Sequence, residues 1–208
     1  MAWPSDGLND SEYWKYLPNN YELLISRYNV SGSLNPIILK KEANLNRIFQ
    51  SLKFLNIKKL DVIILCDFAA SILNKDYHKY SELYFQKKFN LPCLNIVSST
   101  LNFLKNRKKK ISIISPYNNT ITKKFINLNG NNKLITSVSN LSLKSEEEIE
   151  DIKYIVNDLK LDSFKNDILF IGGGITVSSF AKYYKKNYGF NIYSSPLILI
   201  KDTINFLK

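Results

Sequence analysis

One sulfur in this sequence stands where it could do acid–base chemistry. Cys66 closes the run Asp61-Val62-Ile63-Ile64-Leu65-Cys66, and a loop of small residues leading into a helix follows it. A residue at the carboxyl end of a buried strand lies where α/β proteins place their reactive groups. Loop and helix N-terminal amides favour a thiolate there, and such a group can remove or deliver a proton at a substrate carbon. The plain alternative is an inert buried cysteine. Cys93 lies inside the run 92–97 with no loop chemistry beside it and reads as structural.

A second candidate is Gly172-Gly173-Gly174, after the run 167–171 and before a helix. Bare backbone N–H groups at that place can bind a carboxylate or a phosphate, helped by the helix dipole. The loop is neither a P-loop nor a dinucleotide fingerprint: no lysine follows at the P-loop spacing, and Val177 stands where the fingerprint's last glycine would be. A tight strand–helix turn is the plain alternative. In Ser115-Pro116-Tyr117-Asn118-Asn119-Thr120, Tyr117 could offer its hydroxyl to a carboxylate, while Asn119 or Thr120 could cap a helix. Asp6 and Asn9 form a polar turn whose ordinary role is capping. His78, between Tyr77 and Lys79, reads as a solvated surface histidine.

Composition narrows the field. At 208 residues with 45% apolar content the chain can bury one substantial core, or two small lobes sharing one. No apolar run is long enough to span a membrane, and the first residues lack the pattern of a signal peptide. Two cysteines cannot build a disulfide framework or a four-ligand zinc site, so no metal is expected and the default compartment is the cytoplasm. The formal charge of +11 invites a nucleic-acid partner. It is almost all lysine, however, and arginines occur only at 27, 47 and 107. Arginine is the residue that reads bases and clamps phosphates. Lysine excess alongside Asn, Ile, Tyr and Phe matches AT-rich codons. The dense cluster 105–110 reads as a solvated helix–strand connection, and no nucleic-acid partner is expected.

Short apolar runs alternate with helix-period segments. Strands are predicted at 22–26, 61–66, 93–97, 110–115, 134–138, 167–171 and 190–193. Helices are predicted at 42–55, 77–88, 119–127, 145–159, 176–186 and 196–207, with Ser145-Glu146-Glu147-Glu148 as a capping box. Alternating β and α elements make a mostly parallel sheet flanked by helices. The run 59–66 also aligns ungapped with 165–172, and Asn95-Ile96-Val97-Ser98-Ser99 resembles Asn191-Ile192-Tyr193-Ser194-Ser195. The fold class expected is therefore α/β, with two pseudo-symmetric lobes and the site in the cleft between them. The first lobe would be 1–99 plus the C-terminal helix at about 196–208, and the second 100–195. The ungapped repeat sets Gly172 opposite Cys66.

These pieces, taken in order, resemble the aspartate/glutamate racemase superfamily, and within it the maleate isomerase and arylmalonate decarboxylase branch. The residues that carry the resemblance are Asp61–Cys66, Leu91-Pro92-Cys93, Ser98–Asn102, Ser115-Pro116-Tyr117, Ile168–Thr176 and Ser194-Ser195-Pro196. The resemblance implies a cofactor-independent isomerase or lyase acting on a small carboxylic acid. It places Cys66 at the first-half cysteine and Gly172 at the second. Gly173 and Gly174 match amide donors, Tyr117 a carboxylate ligand, and Pro4, Ser5 and Asp6 the N-terminal loop. Phe68, Asn118 and Ile175 would be wall residues. A homodimer is a possible assembly.

Two departures bear on mechanism. Asp67-Phe68-Ala69-Ala70-Ser71 replaces the small hydroxyl residues that usually follow the first cysteine. That brings a carboxylate, Asp67, into the site; it would raise the thiol pKa and repel a dicarboxylate. The family's first strand looks almost absent, since the chain starts at Trp3-Pro4. One cysteine leaves one-base chemistry: decarboxylation, β-elimination or addition–isomerisation. The alternative is a degenerate relative that binds a carboxylate or a protein partner without turnover.

Overall fold

The computed structural model describes residues 2–4, 10–130, 132–144, 159–172 and 174–208. In chain order the first half contains β1 (Ala2–Pro4), α1 (Asp10–Tyr16), β2 (Ser26–Tyr28), α2 (Pro36–Glu42), α3 (Leu45–Leu52), β3 (Ile63–Leu65), α4 (Phe68–Leu73), α5 (Tyr77–Phe89), β4 (Cys93–Asn95) and α6 (Ile96–Lys105). The second contains β5 (Ile111–Ser115), α7 (Asn119–Asn129), β6 (Ile135–Asn140), β7 (Asp167–Phe170), α8 (Ser178–Tyr188), β8 (Ile192–Ser194) and α9 (Ser195–Phe206). Two four-stranded sheets result, ordered β2-β1-β3-β4 and β6-β5-β7-β8. All their pairings are parallel. Strands β3, β5 and β7 are buried along their whole length, which is why they read as unbroken apolar runs. One apolar core joins the halves, running from Ile64, Cys66 and Phe68 to Ile113, Phe125 and Phe170. Helix α4 packs on α7, and α6 on α9.

Local side-chain chemistry explains two of the shifted boundaries. The helix expected over 42–55 spans Leu45–Leu52, because the Asn44 side chain accepts from the N–H groups of Asn46 (2.9 Å) and Arg47 (3.4 Å) and starts it there; the helix Pro36–Glu42 before it was not expected. The strand expected over 93–97 stops at Asn95, which accepts from Val97 N–H at 2.8 Å and caps α6. The strand expected at 22–26 instead spans Ser26–Tyr28. The N-terminal strand that looked almost absent is present: Ala2–Pro4 is only three residues long but lies between β2 and β3. The capping box at 145–148 lies outside the described residues. No helix among the described residues is long and apolar enough to cross a membrane.

The sheets repeat one another, with a one-residue correction to the sequence repeat. Ile63 pairs with Cys93 and Leu65 with Asn95; in the second sheet Ile168 pairs with Ile192 and Phe170 with Ser194. Asn95 and Ser194 both end a strand and cap the following helix. Pairing therefore matches Leu65 with Phe170, so Ile171 stands opposite Cys66 and Gly172 opposite Asp67. The ungapped alignment is one residue out of step. By the same pairing Pro4 corresponds to Pro116.

The basic cluster 105–110 is the connection from α6 to β5, and its arginine is committed to the fold. Arg107 forms an ion pair with Asp167, the two side chains being 8% and 9% exposed. Its guanidinium lies 5.3 Å from the Phe103 ring and 5.2 Å from the Tyr193 ring. Burial opposes the Asp167 charge, but the Asn191 N–H and Arg107 outweigh it and hold the carboxyl below its ordinary range. Arg107→Ala would leave that carboxylate buried and unpaired. It is expected to destabilise the fold by about 3 kcal/mol, read from the midpoint of urea unfolding.

Candidate active site

The carboxyl ends of β3, β5 and β7 bring three of the predicted segments near one another. Asp67 and Phe68 begin α4, Pro116 and Tyr117 follow β5, and Gly172 follows β7. The Phe68 ring stacks on the Tyr117 ring at 5.9 Å and also meets Phe125 at 5.3 Å. Tyr117 is fixed further by its own N–H, which donates to Ser115 Oγ at 3.2 Å. Gly172 has φ +125°, a conformation that side-chain-bearing residues rarely adopt. A Cβ at that position would lie 3.3 Å from Tyr117 Oη and 3.3 Å from Pro116 Cγ. The site thus has a physical reason for a glycine at 172, where resemblance anticipates a second thiol. Ile175, 3.6 Å from the same point, closes the wall. Ser5, Asp6 and Gly173 lie outside the described residues, and Gly174 is half-buried.

Cys66 lies one residue beyond β3 and is 1% exposed. Burial pushes its thiol up to about 12, and the nearby Tyr13 hydroxyl opposes that shift. The sulfur is thus a thiol at neutral pH, with one phenol ready to stabilise its anion. Cys93 is buried too, and burial raises its thiol even further. This supports a structural role on the outer strand β4.

Asp67 performs two local tasks. Its Oδ1 accepts from the Ala70 N–H at 3.1 Å and caps α4. Its Oδ2 accepts from the Tyr28 hydroxyl at 2.9 Å. Burial raises its carboxyl to about 6 against these hydrogen bonds, and Glu42 adds like-charge repulsion. The Tyr77 hydroxyl is close enough to Asp67 for the carboxylate to disfavour its ionisation, after the larger effect of burial. Arg27 forms an ion pair with Asp10, whose charge is also felt at Cys66.

Several expectations shift. His78 is buried, with burial lowering its pKa, and is no solvated surface residue. The helix after Tyr117 is capped by Asn118, whose Oδ1 accepts from the Ile121 N–H at 3.2 Å, and not by Asn119 or Thr120. Asn118 is therefore a cap as well as a neighbour of the wall. Tyr13, Tyr28, Tyr77 and Glu42 were missed. Tyr13 belongs to a helix not anticipated, and Tyr28 fell just past the expected strand. The motif Asn9-Asp10-Ser11-Glu12, a helix-start pattern, was the available signal for Tyr13.

Because the folded Asp67 pKa lies above its ordinary 3.8, its favourable contribution is complete below about pH 4 and is lost as pH rises through about 6. Asp67→Asn keeps an acceptor for the helix cap and removes the charge. It is expected to stabilise the protein by about 2 kcal/mol at pH 8 and by almost nothing at pH 4. Thermal melts of both proteins at the two pH values provide the check; equal gains at both would show that the charge is not strained by burial.

No family model and no curated protein sequence matches the chain. Solved structures match it over nearly its whole length. Maleate isomerase Iso from Pseudomonas putida S16 has 12% identity and a TM-score of 0.76, over 99% of this chain and 90% of that one. A Nocardia farcinica maleate cis-trans isomerase variant, with a covalently bound succinylcysteine intermediate, has 9% identity and a TM-score of 0.71, over 99% and 91%. An arylmalonate decarboxylase variant associated with sulfate has 15% identity and a TM-score of 0.69, over 98% and 90%. The chain therefore shares the two-lobed α/β fold of these maleate isomerase and arylmalonate decarboxylase structures.

Proposed function

We propose that the protein is a cofactor-independent isomerase or lyase that moves a proton at the carbon next to a carboxylate, with Cys66 carrying the proton. The observation that supports this most is the placement of Cys66, one residue past the end of the interior strand β3, where burial keeps the sulfur a thiol. The substrate carboxylate would sit against the Tyr117 hydroxyl and the amides of Gly172, Gly173 and Gly174. Loss of carbon dioxide from the adjacent carbon breaks its C–C bond and leaves the electron pair there, delocalised into the remaining carboxylate as an enediolate. Hydrogen-bond donors at that end would stabilise this charge. The enediolate electron pair then takes the Cys66 proton and forms the C–H bond. A thiolate remains, and a proton from solvent restores the thiol. In the reverse direction the thiolate removes the proton. The neighbouring structures of isomerases and decarboxylases, one holding a succinylcysteine, are in keeping with cysteine chemistry on this scaffold.

Glycine at 172 and the enclosure of Cys66 favour a second reading, a carboxylate-binding protein without turnover. Exchange of the α-hydrogen in deuterated water, followed by NMR across small carboxylic acids, separates the two. Wild-type exchange that falls by 10²-fold or more in Cys66→Ala supports catalysis by the thiol. Exchange unchanged in Cys66→Ala removes the cysteine from the mechanism. Binding with no exchange in either protein leaves the second reading.

A further inference from the structure

Arginine is scarce in this lysine-rich chain, and two of its three arginines line one cavity. The cavity, of about 480 Å³, lies between the edge strand β2 and helix α3. Arg27 of β2 and Asn29 just beyond it form one side. Asn46, Arg47 and Gln50 of α3 form the other, at a spacing that sets them on one helix face, and Phe54 closes the end after the helix. No lining residue is acidic, and Cys66, Tyr117 and Gly172 are not among them.

The fold leaves much of this chemistry unused. Arg27 is held in place by its ion pair with Asp10. Arg47 is exposed; its guanidinium donates to the Asn29 carbonyl at 3.4 Å, a long bond that takes one of five N–H donors. Among the described residues Arg47 makes no ion pair, and the side-chain amides of Asn29, Asn46 and Gln50 make no hydrogen bond. Phe54 is 90% exposed, more than any other large apolar side chain among the described residues. Phe49 of the same segment shows the contrast: its ring stacks on Phe89 at 5.5 Å and is covered by Lys53 and Lys88.

Each group calls for a different part of one ligand. A guanidinium fork matches a phosphate through two parallel N–H···O bonds. An aromatic face left in water suits a flat ring stacked on it. Carboxamides both donate and accept, which fits the mixed edge of a nucleobase or the hydroxyls of a sugar. Inorganic phosphate would use the arginine and leave the ring and the amides idle. The volume falls within the range of roughly 300–1,000 Å³ typical of small-molecule sites. We infer that the cavity between β2 and α3 binds a free nucleotide, with its phosphate on Arg47 and Arg27, its base on Phe54 and its polar edge toward Asn46 and Gln50. This site is separate from the acid–base chemistry at Cys66 and stands without it.

Calorimetric titration of the full-length protein with AMP, GMP, CMP and UMP tests this, followed by the nucleoside of the tightest binder, inorganic phosphate and a five-nucleotide RNA. The best nucleotide should bind about tenfold more tightly than its nucleoside or phosphate alone. Arg47→Gln should weaken the nucleotide about tenfold and leave the nucleoside unchanged. Phe54→Ala should weaken nucleotide and nucleoside alike by about tenfold. Both side chains are exposed, and an unchanged urea midpoint confirms that each variant folds. Failure of all four nucleotides to bind, an affinity no better than that of phosphate, or an affinity unaltered in both variants overturns the site. RNA bound tenfold more tightly than the best nucleotide overturns the free nucleotide as its occupant.

Discussion

The contact on which the site depends is a pair of stacked rings. Phe68 begins α4 in the first half and Tyr117 follows β5 in the second, and their rings lie 5.9 Å apart. Parallel strands aim their carboxyl ends at solvent, and a cleft there needs something to fix the distance between its banks. The ring pair does this with an apolar contact, reinforced where Phe68 reaches Phe125. It also directs the Tyr117 hydroxyl at Gly172, where any side chain would crowd it. Residues 67–68, 116–117 and 172 are thereby held as one unit, although they come from three separate stretches of chain.

Electrostatics on the two banks differ. Around Tyr117 and Gly172 the available groups are a phenol and backbone amides. Around Cys66 they are carboxylates and tyrosines, buried enough that Asp67 is raised to about 6 and the thiol to about 12. Desolvation is the largest cause in both cases. Excluding water makes a charge costly when unpaired and its interaction strong when a partner arrives. The Asp67 carboxylate, ionised and buried, therefore costs folding free energy.

Much of the architecture was legible in the sequence because both buried strands and amphipathic helices leave periodic marks. The runs at 61–66, 110–115 and 167–171 contain β3, β5 and β7, since strands buried on both faces permit little besides apolar residues. Cys66, Tyr117 and Gly172 could be singled out from their places at strand ends. What could not be read was anything set by pairing across the sheet. The three-residue β1 is too short to carry a pattern, and Asn44 and Asn95 end their segments through hydrogen bonds of their own side chains. Tyr13, Tyr28, Tyr77 and Glu42 lie far apart in sequence, and only the fold assembles them around Cys66 and Asp67.

Burial on both faces also makes a strand indifferent to its own phase. In a half-exposed strand a slip of one position would turn apolar side chains outward, and folding would resist it. Strands β3 and β7 have no outward face, and the second half carries its repeat one position away from the alignment that sequence alone favours. A single inserted or deleted residue near such a strand can exchange the side chain delivered to the cleft while the hydrophobic core is retained. Which residue stands just past such a strand is therefore set by register rather than by the composition of the strand itself.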